Sequence, residues 1–220
     1  MSDLASDASH WDERAGLDEL AAVLDPEGSA EKNALIHHLQ MEAIRNAGLS
    51  RTDDVLDYGC GTGRVMREFG ASVRSIRGID ISERMVEQAS RYGDARLYDG
   101  HTIPFVADSF DAVISVYVLQ MYRESTRRFL GMLHELERVL RPDGRLVLVE
   151  RVERTGVLSL GAWRSELRAG GFEIKRTDTV RSGGSRFALV HRLRRVRAAY
   201  ADVLMVAYAT DRHPPGRMSV

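Results

Sequence analysis

Val55-Leu56-Asp57-Tyr58-Gly59-Cys60-Gly61-Thr62-Gly63 runs from a short apolar stretch directly into a cluster of glycines. The stretch 55–58 reads as a strand, and Val65, Met66 and Phe69 at helical spacing read as the helix that follows. Glycines between a strand and a helix let the backbone turn sharply and let a ligand come close to it. The spacing is G-x-G-x-G, with Arg64 where the dinucleotide fingerprint has its third glycine. The loop therefore suits a ligand that lies against the backbone but does not match a pyrophosphate cradle. Further on, Gly78-Ile79-Asp80-Ile81 ends the next apolar run, and Asp80 stands 17 residues beyond Gly63. That is near the distance at which an acid at the end of a second strand accepts from ribose hydroxyls. Loop and acid together predict a nucleoside-containing ligand across the carboxyl ends of the first strands.

Outward from this core, short apolar runs alternate with helical patterns. Helices are predicted over 83–92, 125–140 and 160–169, and strands before Asp99 and over 110–116 and 145–149. Strands alternating with helices predict a parallel sheet covered on both faces, an α/β fold. The rhythm then changes. Strands are predicted at 172–180 and 186–193, joined by Ser182-Gly183-Gly184-Ser185, a hairpin turn and therefore an antiparallel end to the sheet. Residues 194–208 read as an amphipathic helix through Val196, Tyr200, Val203, Leu204 and Ala207, with a loose tail after it. Upstream, 10–50 reads as two helices broken by Asp25-Pro26-Glu27-Gly28, with Gly48 as the closing cap. The expected organisation is one domain: a helical cap over 1–50, a core over 51–193, and a C-terminal helix and tail over 194–220.

The segment VLDYGCGTGR…GIDIS…M resembles motif I and the acidic motif of class I S-adenosylmethionine-dependent methyltransferases. Asp99-Gly100 with Ile103-Pro104-Phe105, then Ser109-Phe110-Asp111, resembles that family's adenine-binding segment. Leu140-Arg141-Pro142-Asp143-Gly144-Arg145-Leu146 resembles its turn into the fifth strand. Four motifs in order cover about 52–192. The resemblance implies a Rossmann-like, doubly wound, seven-stranded sheet with a C-terminal antiparallel hairpin, and S-adenosyl-L-methionine as cofactor. It further implies that Asp57, Gly59 and Gly61 line the methionine part and that Asp80 holds the ribose. By the same resemblance Ile81 lies beside the adenine, Asp99 and the Gly100 N–H meet its edge, and Ser115 sits near the sulfonium.

The methyl acceptor is expected over strands four and five, near Tyr117 and Gln120. The N-terminal helices are expected as a lid bringing Trp11, Arg14 and His37 over it. Neither a phenol nor an amide is a good base at neutral pH, so His37 is the expected general base if one is needed. Cys60, alone between glycines, has no activating base nearby in sequence.

Composition narrows the acceptor. The chain has 220 residues, 44% apolar and 29% charged, and a net charge of −1, which gives no footprint for nucleic acid or an anionic membrane. The segment after strand four, Ser115-Val116-Tyr117-Val118, lacks the Asn/Asp-Pro-Pro-aromatic motif of base-amine methylating relatives. A small-molecule acceptor is expected, methylated on oxygen or nitrogen by a monomer or homodimer, with no metal. One cysteine and the absence of a signal-peptide pattern suit the cytoplasm. Of 31 basic residues only Lys32 and Lys175 are lysine, a skew that suits bacterial secondary metabolism. Two other readings stay open: a non-catalytic cofactor-binding scaffold and a nicotinamide-dependent oxidoreductase.

Overall fold

In a computed structural model, which describes residues 4–122, 126–153, 159–180 and 200–209, seven strands form one sheet. They are β1 (Asp54–Tyr58), β2 (Ser75–Asp80), β3 (Asp94–Leu97), β4 (Phe110–Val116), β5 (Leu140–Glu153), β6 (Phe172–Thr179) and β7 (Tyr200–Ala209), in the spatial order β3-β2-β1-β4-β5-β7-β6. Strands β1 to β5 pair in parallel, and β7 pairs antiparallel with both β5 and β6. The Rossmann-like, seven-stranded plan with an antiparallel end is therefore present. The chain leaves β3 at one edge and returns beside β1 at β4. Such a switch point opens a crevice at the carboxyl ends of the flanking strands, where ligands bind in open α/β sheets.

Helices cover both faces, so the central strands carry apolar side chains on both sides. In β4 the run Ala112-Val113-Ile114-Ser115 is wholly buried, as is Leu146-Val147-Leu148-Val149 in β5. Successive residues point to opposite layers. Val113, Leu146 and Leu148 meet α6 (Thr126–Val139) and α7 (Leu160–Ala169) through Phe129, Leu133, Leu136, Trp163 and Leu167. Those α6 positions recur at three- and four-residue spacing, the stripe of a helix packed on a sheet. Ala112, Ile114, Val147 and Val149 meet Met41 and Ile44 of α3 (Ala30–Arg45) and Val65, Met66 and Phe69 of α4 (Arg64–Phe69). Each fully buried Leu, Val or Phe contributes about 1.5–3 kcal/mol, so the two layers fix how β1 and β4 sit beside one another.

β7 corrects the reading of 194–208 as a helix. Leu204 and Val206 pack in the α3–α4 layer, and Val203, Met205 and Ala207 in the α6–α7 layer. Tyr200–Ala209 lies between β5 and β6, so it is apolar on both pleat faces and reads as one continuous run. The same residues also fit a helical period, which cannot by itself separate the two. The sheet therefore extends past the expected core limit at 193. The strand expected at 186–193 and the turn at 182–185 lie outside the described residues, as does the tail.

The N-terminal region forms three helices: α1 (Leu4–Arg14), α2 (Glu19–Val23) and α3. The predicted break falls between α2 and α3, and the cap of α3 is Asn46 rather than Gly48. α1 is anchored to α5 (Glu83–Ala89): Ser82 donates to Asp12 at 2.5 Å, Arg84 to the Asp12 carbonyl at 2.7 Å and Gln88 to the Ala15 carbonyl at 2.6 Å. Arg14 donates to the Ala21 and Ala22 carbonyls at 2.8 Å, tying α1 to α2. Among the described residues no helix is long and apolar enough to cross a membrane.

Candidate active site

A cavity of about 480 Å³ opens at the carboxyl ends of β1, β2 and β4. Its floor is the glycine loop, its walls are the segments after β2 and β4, and its roof is α1 to α3. Gly59, Gly61, Asp80, Ile81, Tyr117 and Gln120 all line it. Trp11 and Arg14 line it from the roof, with Arg14 stacked over the Trp11 ring at 5.1 Å.

The loop's glycines are needed where they stand. Gly59 has φ +72, and a Cβ there would lie 2.3 Å from Val118 Cγ2. Gly61 has φ +53, and its Cβ would lie 2.7 Å from Val23 Cγ1. Both are left-handed backbone in contact-tight surroundings, which only glycine occupies without strain. Gly63 plays another part: it caps α4, and its Cβ would strike Ala89 of α5 at 2.8 Å. It serves packing, and it does not line the cavity.

Asp80 holds the loop to the end of β2. One carboxylate oxygen accepts from the Gly61 N–H at 2.9 Å, the other from the Ser82 N–H at 3.0 Å. Ser82 in turn caps α5 by accepting from Met85 N–H. Burial pushes the Asp80 carboxyl above its ordinary range, while the backbone donors oppose that shift.

Asp57 lies beneath the loop, buried, and outside the cavity lining. Burial raises its pKa to about 7, with the Arg64 guanidinium pulling it back and Asp80 adding to it. No described residue donates to its Oδ2. Arg64, itself buried, is brought down to about 10 chiefly by desolvation. The residue that breaks the dinucleotide pattern is thus an interior cation under the loop.

Besides Asp57, four expected site residues stand outside the cavity lining. Ser115 is fully buried inside β4, and no described residue bonds its hydroxyl; it is the next residue, Val116, that reaches the cavity. Asp99 is exposed, and its carboxylate accepts from the His101 and Thr102 N–H groups at 2.8 Å in a turn of its own. Gly100, at φ +80, shapes the same turn outside the cavity. Tyr98, one residue earlier, faces the cavity instead. His37 points away from the cavity towards Arg64, its Nδ1 3.3 Å from the guanidinium. Burial first, then Arg64, lowers its pKa from 6.5 to about 4. It is neutral at pH 7 and a weak base.

The depressed His37 value carries a stability signature. The unfolded chain takes up the proton near pH 6.5 and the folded chain only near 4, so stability is fully present above 6.5 and declines as the pH falls. We expect His37→Asn to lose less melting temperature than wild type between pH 6.5 and 4. Parallel losses in the two proteins would show that His37 titrates normally.

Sequence reasoning missed three features. Tyr58, Tyr98 and Tyr122 bring their hydroxyls together in the wall, the Tyr58 oxygen lying 3.5 and 3.4 Å from the other two. Tyr58 follows the motif's acid in alternation, so its orientation was open to inference; the meeting with Tyr122 was not, because 64 residues separate them. Val118 closes over Gly59 and Val23 over Gly61. Asp202 of β7 reaches the wall beside Tyr117 and Arg151, in a stretch misread as helix.

Residues 56–148 match the model of a family described as a methyltransferase domain. The demethylmenaquinone methyltransferase of Tropheryma whipplei (strain Twist) is 35% identical over 119 residues, 51% of this chain and 48% of that protein. The chain spans about half the length of the curated relatives it matches. Among solved structures, the [4+2]-cyclase SpnF superposes with a TM-score of 0.72 at 20% identity, over 95% of this chain and 97% of that one. The geranyl diphosphate C-methyltransferase of Streptomyces coelicolor A3(2), solved with Mg2+, geranyl diphosphate and S-adenosyl-L-homocysteine, gives 0.66 at 14% identity, over 95% and 99%. At these identities the two superpositions speak for fold alone.

Proposed function

We propose that the chain, whose residues 56–148 match the model of a methyltransferase domain, is a class I, S-adenosylmethionine-dependent methyltransferase that transfers a methyl group to a small-molecule acceptor held beneath the N-terminal helices. The observation that carries this reading is the convergence of the glycine loop and Asp80 on one roofed cavity, with Tyr117 and Gln120 at its other wall. The residues fit the cofactor. Gly59 and Gly61 would lie along a methionyl chain, Asp80 would accept from ribose hydroxyls, and Ile81 and Tyr98 would flank a base.

S-adenosylmethionine, when bound, supplies a methyl carbon already activated by a sulfonium. What remains for the chain is to align an acceptor with it and to keep water out. Trp11, Ile36, Val116, Val118 and Met121 give the acceptor region an apolar, partly aromatic lining. That lining suits a ring-bearing acceptor, as the name of the Tropheryma whipplei relative indicates for that protein. A lone buried Cys60 agrees with a reducing cytoplasm.

The roof provides the test. Val23 of α2 rests over Gly61, so a ligand crossing the loop meets the cap directly. We expect residues 10–46 to gain protection from hydrogen exchange when S-adenosyl-L-homocysteine is added. Their deletion should impair acceptor binding more than cofactor binding. Equal exchange with and without ligand would reduce the three helices to a packing appendage.

A further inference from the structure

Asp202 stands two residues inside β7, in register with Arg151 of β5. It shares the α3-facing side of the sheet with Leu204 and Val206, yet it is the only acid in the described part of that strand. Asp202, Arg151, Tyr117 and Gln120 line one region of the cavity wall. An acid amid an otherwise apolar strand interior is costly unless its charge is used.

The surroundings leave that charge under-satisfied. No described residue donates to Asp202 Oδ1, which is also shut off from solvent. The Tyr117 phenol lies beside the carboxylate, with Gln40 of α3 also beside the phenol. Burial raises the Asp202 pKa, against the pull of Tyr117 and Arg151, so the group is more basic than an exposed aspartate. Tyr117 is itself held in an unusual way: it follows β4 with φ +63, left-handed backbone that an aromatic residue rarely adopts. Strain of this kind persists where the surrounding structure imposes it, and it gathers at functional sites. Gln120 Oε1, nearby on the same wall, also lacks a described donor. Asp202 and Gln120 therefore both line the cavity where the methyl acceptor belongs, and each keeps one enclosed oxygen without a described donor.

We propose that Asp202 is the catalytic base of this site and that the methyl acceptor presents a weakly acidic hydroxyl, of the phenol or enol class, to its carboxylate. The O–H bond of the acceptor breaks, the proton passes to the Asp202 carboxylate, and the electron pair stays on the acceptor oxygen as an oxyanion. Arg151, opposite on β5, supplies positive charge on the same wall. Tyr117 is a positioning residue that orients the carboxylate. This assignment takes the place that the sequence suggested for His37, and it rests on the methyltransferase reading of the cavity.

The test uses the full chain saturated with S-adenosyl-L-homocysteine and two planar probes, 2-naphthol and 2-methoxynaphthalene, which differ in the hydroxyl proton. Calorimetry should show wild type binding 2-naphthol at least about tenfold more tightly, the worth of one hydrogen bond to a charged group. Asp202→Asn should erase that preference and leave S-adenosyl-L-homocysteine affinity within about twofold, since the change lies outside the glycine loop and Asp80. Equal binding of the two probes by wild type would overturn the proposal without recourse to any variant. So would a preference that survives in Asp202→Asn, or no binding of 2-naphthol to protein that does bind S-adenosyl-L-homocysteine. Failure of S-adenosyl-L-homocysteine itself to bind would instead remove the methyltransferase reading, and with it the base.

Discussion

Asp80→Ala is expected to weaken S-adenosyl-L-homocysteine binding at least tenfold while the protein still folds. Two ribose hydroxyls donating to a carboxylate form charge-assisted hydrogen bonds, each worth about 1.5–3 kcal/mol net. About 1.4 kcal/mol corresponds to a factor of ten, so the loss of even one such bond meets the threshold. The structure adds a second contribution. The same carboxylate already accepts from Gly61 and Ser82, and each oxygen keeps a further lone pair for a ligand. Its removal frees the Gly61 N–H and loosens the loop that lies along the cofactor. Asp80→Asn separates the two contributions: it keeps an acceptor for the loop but loses the charge, so its affinity should fall between wild type and the alanine variant. Calorimetry with a parallel melting curve reads both. An Asp80→Ala affinity within twofold of wild type would mean that the acid serves only to hold the loop and α5 in place.

The legible part of this chain was local and glycine-marked. The turn at Gly59 and Gly61, the acid at the end of β2, the strand Phe110–Val116 and the helix Leu160–Ala169 all stand where spacing and periodicity put them. These are features whose physical cause lies within a few residues of sequence.

What resisted was decided by partners distant in sequence. Tyr200–Ala209 is a strand because β5 and β6 flank it, not because its own residues choose between two periods. Reading it as a helix hid Asp202, which only the sheet register brings opposite Arg151. His37 was placed over the site because a lid was expected and a histidine suits a base. In fact α3 turns it towards a buried arginine whose charge makes it a poor one. Asp99 shows a third cause: an Asx turn satisfies its carboxylate locally, and no pattern distinguishes that acid from one reserved for a ligand.

The central claim is that the cavity is built for S-adenosylmethionine and not for a dinucleotide. The loop argues this on physical grounds. Its Gly61 N–H is committed to Asp80, Gly63 is turned into the α5 contact, and Arg64 is interior. A pyrophosphate laid on this loop would find few of the backbone donors that a dinucleotide site supplies. Calorimetry of the full chain with S-adenosylmethionine, S-adenosyl-L-homocysteine and NAD is the most direct measurement. The account predicts binding of the first two, with NAD weaker by at least about a hundredfold, or about 2.8 kcal/mol. Tight NAD binding with no binding of S-adenosylmethionine or S-adenosyl-L-homocysteine would contradict it.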